Sequence, residues 1–190
     1  ALHPGHWLSE RIHCLRVLPR LGYEIGSGFM VGLPGQRAVS LADDIILSRR
    51  LGVSMCGAGP FIPQHDTPLG AYPSGSAQLA LRVMAVMRIA MPWANIPATT
   101  ALATVDALGG QRNGLLAGGN VLMPSFTPPA YGKQYRIYDN KNRVDMLGAR
   151  KAIEGAGRSH SLADWQPSAA QDAIARVAPA VSSVSCMLAG

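Results

Sequence analysis

The chain has 190 residues, of which 48% are hydrophobic and 15% charged. That composition argues against a disordered chain and is enough for one ordinary domain with a real core. The formal charge is +6, yet the cations are scattered (Arg11, Arg16, Arg20, Arg37, Arg82, Arg88, Lys133, Arg136, Lys141) and no basic run is interleaved with aromatics, so no nucleic-acid partner is expected.

Read in chain order, Leu8, Ile12, Leu15, Leu18 and Leu21 mark one face of a helix, with Pro19 shortening its last turn and Gly22 at its end. Residues 23–32 predict a buried strand, and Leu33-Pro34-Gly35-Gln36 a turn. Ser40-Leu41-Ala42-Asp43 has the form of a capping box, so a helix is expected from there to Gly52, with Asp43 and Asp44 as charges of its first turn. Residues 53–62 predict a second strand, followed by a proline-rich loop at 63–73. Ser76 is expected to cap a third helix that turns Leu79, Val83, Val86 and Met87 inward and ends at Pro92. Residues 95–102 read as a strand, 111–116 as a short helix, 120–124 as the last strand and 125–138 as a loop. From Gly148 the chain turns rich in Ala and Ser, with a weak helix expected over 164–177; the expected domain organisation is therefore 1–147 and a tail at 148–190.

Strands alternating with helices predict an α/β fold of about four parallel βα units. Four such units make either half of an eightfold (β/α)8 barrel, which typically takes about 250 residues when complete, or a small open sheet. In both, function is expected at the C-terminal ends of the strands. Three widely spaced cysteines, Cys14, Cys56 and Cys186, are a poor disulfide framework and suit a reducing compartment. There is no signal-peptide pattern and no apolar stretch of about 20 residues, so the expected location is the cytoplasm, without a membrane. The chain starts at Ala1 rather than at methionine, which reads as an internal piece of a longer protein.

Several strings are more specific than composition. They are Gly28-Phe29-Met30-Val31-Gly32-Leu33-Pro34-Gly35-Gln36, Gly59-Pro60-Phe61-Ile62-Pro63, Asp66-Thr67-Pro68-Leu69, Asn95-Ile96-Pro97-Ala98-Thr99-Thr100-Ala101 and Ala117-Gly118-Gly119-Asn120-Val121-Leu122-Met123-Pro124. In this order and spacing, over about residues 8–138, they resemble the C-terminal part of radical S-adenosylmethionine (SAM) enzymes. The resemblance is to the HydE-type maturases of [FeFe]-hydrogenase, relatives of biotin synthase and methylornithine synthase.

The resemblance implies the C-terminal half of a (β/α)8 TIM-type barrel that works with SAM and a [4Fe–4S] cluster and cleaves SAM to a 5′-deoxyadenosyl radical. It also implies a small cysteine-bound iron species as substrate, with other hydrogenase maturation proteins as partners. The superfamily's Cys-x3-Cys-x2-Cys cluster motif is not in this sequence. The cluster is therefore expected on a missing N-terminal half, itself a partner, and the isolated chain is expected to be inactive. The resemblance assigns Arg11 to the SAM carboxylate, a task suited to a guanidinium fork. It assigns Met30, Gly32, Pro60 and Ile62 to the adenosine site, and Met55, Thr99, Thr100, Met123, Tyr135 and Tyr138 to the substrate cavity. For the apolar residues, plain core packing is the other reading. Thr99 and Thr100 are adjacent, so both can face the cavity only at a strand end or bulge.

The glycines around Gly32 lack the lysine of a P-loop, and the five histidines form no ligand set. Residues 139–190 hold only Cys186, so no auxiliary cluster is expected. Two other functions stay open: a biotin synthase-like or methylornithine synthase-like enzyme acting on a small organic molecule, and a non-catalytic half-barrel that associates through its exposed sheet edges.

Overall fold

The computed structural model describes residues 4–128, 131 and 137–160. These fall into two compact units, residues 4–26 and residues 27–160. Tyr135 and the helix expected over 164–177 lie outside the described residues.

The first unit is helix α1 (Leu8–Val17) and a 3-10 turn (Leu18–Leu21). The Glu10 carboxylate accepts from the Trp7 N–H at 3.2 Å and so closes the start of α1. Pro19 cannot donate within an α-helix, and the chain tightens into the 3-10 turn there. Gly22 stops it in the left-handed conformation, at φ 85°. Among the described residues none on α1 is fully buried; Leu8 of the apolar face is exposed and Ile12 and Leu15 are half-buried.

Strand β1 (Gly26–Val31) leads into the second unit. It is followed by helix α2 (Ala38–Leu51), strand β2 (Met55–Pro60), helix α3 (Ala77–Ala90), two short helices α4 (Thr100–Val105) and α5 (Gly110–Leu116), and helix α6 (Met146–Gly155). β1 pairs with β2 across the α2 crossover. β2 is bridged in parallel to a third extended segment at Asn95, and that segment to a fourth, Pro97 with Val121. Hydrogen bonds from Cys56 to Asn95 (2.9 Å), from Asn120 to Ile96 (2.9 Å) and from Ala98 to Val121 (2.9 Å) complete the ladder. The extended segments therefore lie side by side in chain order with helices between them, as the alternation of patterns predicts. Pro97 has no N–H to give on the side of β2, which keeps the ladder between β2 and the third segment short.

Helices cover one face of this sheet. Val31, Cys56, Ala58, Ile96 and Ala98 are buried there together with Leu41 and Ile45 of α2, Val83, Met84 and Met87 of α3, Leu102 of α4 and Leu115 of α5. Each larger side chain buried in this layer contributes about 1.5–3 kcal/mol. Burial pushes the Cys56 thiol above its ordinary range, and Ser48 of α2 is hydrogen-bonded beside it. Ala103, Val144 and Ala149, with Leu122, make a smaller core under α6.

Three expectations change. α2 begins at Ala38, not at Ser40, because Arg37 is already extended and accepts from the Ser40 N–H at 3.0 Å. Asp43 and Asp44 thus fall in the second turn; partial burial, and then Asp43, raise the Asp44 carboxyl above its ordinary value. On α3 the inward stripe is Ala80, Val83, Met84 and Met87, whereas Leu79 and Val86 are exposed. The strand expected to reach residue 102 stops at Ala98, because the Thr99 hydroxyl caps α4 by accepting from Leu102 N–H at 3.4 Å. α6, capped by Asp145 accepting from Gly148 N–H at 2.8 Å, runs across residue 148, where the composition changes.

Arg88 fastens the second half of the sheet. Its guanidinium donates to the carbonyls of Gly118 (2.8 Å), Pro92 (2.9 Å) and Ala94 (2.9 Å) and to Asn120 Oδ1 (3.0 Å). Asn120 Oδ1 also accepts from Ile96 N–H at 2.7 Å, and its amide donates to Asn95 Oδ1 at 3.1 Å. One side chain on α3 thus holds the entries of both short segments. Replacing it with alanine leaves those acceptors unanswered. Arg88→Ala is expected to cost about 2–4 kcal/mol in urea unfolding, and Arg88→Lys to recover only part of it because lysine has no fork.

On the face opposite the helices, glycines set the fit between strands. A Cβ on Gly28 would meet the Gly57 carbonyl oxygen at 2.6 Å, and one on Gly59 would meet Thr99 Oγ1 at 2.7 Å and Ala101 Cβ at 3.4 Å. Gly59→Ala therefore displaces the hydroxyl that caps α4. We expect it to destabilise by about 1 kcal/mol, the ordinary value of a cap. In a double-mutant cycle its effect should shrink when Thr99 is already alanine. Strict additivity would mean that the contact carries no energy.

Candidate active face and strand ends

The open face of the sheet gathers much of the candidate site. Along β2 burial alternates, with Cys56, Ala58 and Pro60 buried and Met55, Gly57 and Gly59 partly open. Gly57 faces the Pro97 ring, itself buried, and Gly59 faces Thr99, so these residues share the side opposite the helices. Gly28 and Met30 of β1 are exposed in the same phase, as is Met123 beyond the fourth segment. Met30 and Met123 are each about half exposed, at 48% and 49%. Met30, Met55, Thr99 and Met123 thus lie on one glycine-rich face, where Met30 and Met123 are exposed and Met55 and Thr99 half-buried.

The face is not one cluster. Met55 opens β2 at the end opposite Pro60, about 17 Å away at the usual rise per residue. Thr99 and Thr100 stand at the other end, as cap and first residue of α4. Their adjacency is resolved by the strand ending before them, and neither needs a bulge. Pro60 is buried in phase with Cys56 and Ala58, on the side of the helices, and Ile62 is half-buried just beyond it. Arg11 is exposed on α1 in the first unit.

The turn after β1 is built by Gln36, a residue whose role the sequence did not single out. Its amide oxygen accepts from Gly32 N–H (2.7 Å) and Leu33 N–H (3.2 Å), and its amide nitrogen donates to the Met30 carbonyl (2.9 Å). Gly32 takes φ 86°, and a Cβ there would meet the Gly75 Cα at 2.7 Å. Only glycine allows both the conformation and the approach. The Met30 and Gly32 backbone groups expected to meet a ligand are therefore held by Gln36. The signal was present as a polar residue closing the Gly32–Gln36 turn, but its partners are backbone atoms that no residue type announces.

A second support lies past the proline-rich loop. The Thr104 hydroxyl of α4 donates to Thr100 O (2.9 Å) and accepts from Asn142 N–H (2.9 Å), and Asn142 Nδ2 donates to Ala103 O (2.8 Å). Tyr138 also hydrogen-bonds with Thr104; partial burial raises its phenol above the ordinary value, and that hydrogen bond opposes the rise. Lys141 stands 5.9 Å from the centre of the Tyr138 ring. Tyr138 is thus tied to α4 at Thr104, one turn after the Thr99–Thr100 start of that helix.

Among the described residues no group of three or more His, Cys, Asp or Glu side chains could hold a metal ion. Cys14 is exposed and Cys56 buried, in different units. These residues do not fit an iron–sulfur cluster, whose ligands are converging thiolates. The open face does fit a flat apolar group: bare glycine backbone at 28, 57 and 59 lies flanked by Met30 and Met55. No helix among the described residues is long and apolar enough to cross a membrane.

No protein-family model matches the chain. Among curated proteins, the [FeFe] hydrogenase maturase subunit HydE of Thermotoga maritima is 44% identical over 172 residues, covering 83% of this chain and 49% of its own length. The 3-methylornithine synthase of Methanosarcina acetivorans is 27% identical over 160 residues, covering 82% of this chain and 44% of its own. The biotin synthase of Desulforudis audaxviator is 29% identical over 87 residues, 46% and 26% of the two chains. The chain spans about half or less of the length of these relatives. The resemblance carried by the ordered motifs is thereby borne out over the matched residues: the chain is similar to HydE across most of its own length and about half of that relative's.

Proposed function

We propose that this chain supplies the SAM- and substrate-facing part of a HydE-type radical SAM enzyme that serves assembly of the [FeFe]-hydrogenase active-site cluster. The observation that carries the reading is the 44% identity to HydE over 83% of the chain. Parallel segments in chain order, helices on one face and a glycine-rich face on the other support the reading as half of a (β/α)8 barrel. In that barrel the open face is the inner wall. The cluster needs a segment with Cys-x3-Cys-x2-Cys, so the partner of first importance is a cluster-bearing N-terminal half. Other maturation proteins are further partners, and the cytoplasm is the setting.

Bound SAM would supply a 5′-deoxyadenosyl radical. The chain's own residues bind, orient and exclude water. Arg11 offers a fork for the carboxylate of SAM. Met30 forms an apolar wall for the adenosine, with Gly32, Pro60 and Ile62 shaping the strand ends beside it. Gln36 holds the Met30–Leu33 backbone so that this edge is rigid before ligand arrives. Thr99, Thr100 and Tyr138 offer hydroxyls to a small polar substrate, such as a cysteine-bound iron species, with Met123 keeping the strand-end cavity dry; Tyr135 is a further substrate candidate, and Met55, at the far end of β2, lies apart from that cavity. A methylornithine synthase-like reaction on a small organic substrate is the second reading, favoured by the 27% identity that extends over 82% of the chain.

The test is reconstitution with a cluster-bearing N-terminal half under reducing conditions, followed by assay for 5′-deoxyadenosine. SAM cleavage is expected. Arg11→Ala should raise the SAM concentration needed by about tenfold or more, the usual consequence of losing a charged hydrogen bond. An assembled barrel that holds its cluster and does not cleave SAM contradicts the proposal, and identification of the product separates the two readings.

A further inference from the structure

His65 and Asp139, 74 residues apart, form a junction that the proposed function does not use. Asp139 Oδ2 accepts from the His65 backbone N–H at 3.0 Å, and Asp139 Oδ1 lies 2.8 Å from His65 Nδ1. The Asp139 N–H in turn donates to the Pro63 carbonyl at 3.2 Å. The other ring nitrogen, Nε2, lies 3.1 Å from Asp66 Oδ2. The imidazole is therefore held between two carboxylates, one from its own loop and one from the 137–140 segment. That segment continues to Asn142, which is bonded to α4 at Thr104 and Ala103. Residues 137–142 thus make a strap from the loop beyond β2 to the first turns of α4, with Tyr138 between its two anchors.

We propose that His65 and Asp139 are positioning residues that lock this strap and thereby set Tyr138 against α4 at Thr104, one turn after Thr99 and Thr100. The role of Tyr138 toward a substrate rests on the function proposed above; the strap itself does not. Asn142 secures one end of the strap through α4. The end that carries Tyr138 and Asp139 reaches the loop beyond β2 through His65 and Pro63.

The lock is sensitive to pH. The hydrogen bond to Asp139, then the charges of Asp66 and Asp139, raise the His65 pKa above its ordinary value, and the small desolvation opposes them. Lys141 is the nearby cation on the strap, and it stands over the Tyr138 ring. Because the folded pKa is raised, the added attraction is fully present below the ordinary histidine value, about 6.5, and fades as pH rises through the folded value. A neutral ring protonated at Nδ1 keeps the hydrogen bond and loses the charge, so the strap loosens by degrees.

Two readouts on the full chain test the proposal without SAM. Amide hydrogen exchange is followed at His65, Asp139 and Asn142 from mildly acidic to mildly alkaline pH, corrected for intrinsic rates. Nitration of Tyr138 by tetranitromethane is followed by mass spectrometry at one fixed pH. The junction is exposed, so the expected effects are modest. Protection at His65 and Asp139 should fall about two- to fivefold as pH rises through the His65 titration, and Asn142 should keep its protection. In His65→Asn, which keeps a donor without the charge, the pH dependence should vanish. In His65→Ala, Tyr138 should react about two- to fivefold faster. A His65→Asn protein with the wild-type pH profile, or unchanged Tyr138 nitration in His65→Ala, overturns the proposal. If His65→Ala loses Asn142 protection as well, its fold is disturbed and the His65→Asn comparison decides. If the strap behaves as expected and Tyr138→Phe leaves turnover of the assembled enzyme unchanged, the substrate role of Tyr138 falls and the positioning role stands.

Discussion

Arg88 reaches from the last turn of α3 to the carbonyls of Pro92, Ala94 and Gly118 and to the Asn120 side chain, and the placement of two of the parallel segments depends on that fork. The third and fourth segments are short, and Pro97 gives the third no N–H to donate toward β2. Their register is secured from outside the sheet, by a charged donor whose bonds are each worth more than those between neutral groups. Asn120 relays the hold, since its amide pairs with Asn95 and its oxygen with the Ile96 N–H. Arg158 adds a further donor at the Gly119 carbonyl, at 2.9 Å. Everything at the downstream end of these segments, including Thr99, Thr100 and Met123, inherits its position from this knot.

The sheet is built for two different faces. One is filled by Leu, Ile, Val and Met from the helices and behaves as core. The other carries glycines where neighbouring chains come within a Cβ of touching, at Gly28 beside Gly57 and at Gly59 beside Thr99. Such a surface gains little from side-chain burial, and its use lies in close approach of another group to the backbone. The proposed function places a cofactor and the rest of a barrel against it. The ends of the strands are then finished by local devices: the Gln36 clasp after β1, the Thr99 cap after the third segment, and the strap from His65 to Asn142.

How much of this was legible follows from the range of each interaction. The 3-10 turn at Pro19, the stop at Gly22, the cap at Ser76 (accepting from Leu79 N–H at 3.3 Å) and the end of α3 before Pro92 are local, and residue type alone announces them. Leu79 and Val86 were misassigned because α3 is apolar around much of its circumference, and periodicity does not say which stripe meets the sheet. Residues 99–102 were read as strand because a short apolar run has no distinct period; the Thr99 hydroxyl turned it into α4. Of the candidate site, Met30, Met55, Thr99 and Met123 share a face as strand alternation requires. Gln36, Arg88, Asn120 and the His65–Asp139 pair were not singled out, because their partners are backbone atoms or residues far away in the chain.

The central claim is that the open, glycine-rich face and its strand ends receive SAM. Hydrogen exchange of the barrel assembled with its cluster-bearing half, compared with and without SAM, addresses it directly. The account predicts that SAM slows exchange within residues 28–33 and 57–62 and leaves α6 unaffected. Slowing confined to the helix-covered side, or none in these strand ends while SAM is bound, would contradict it.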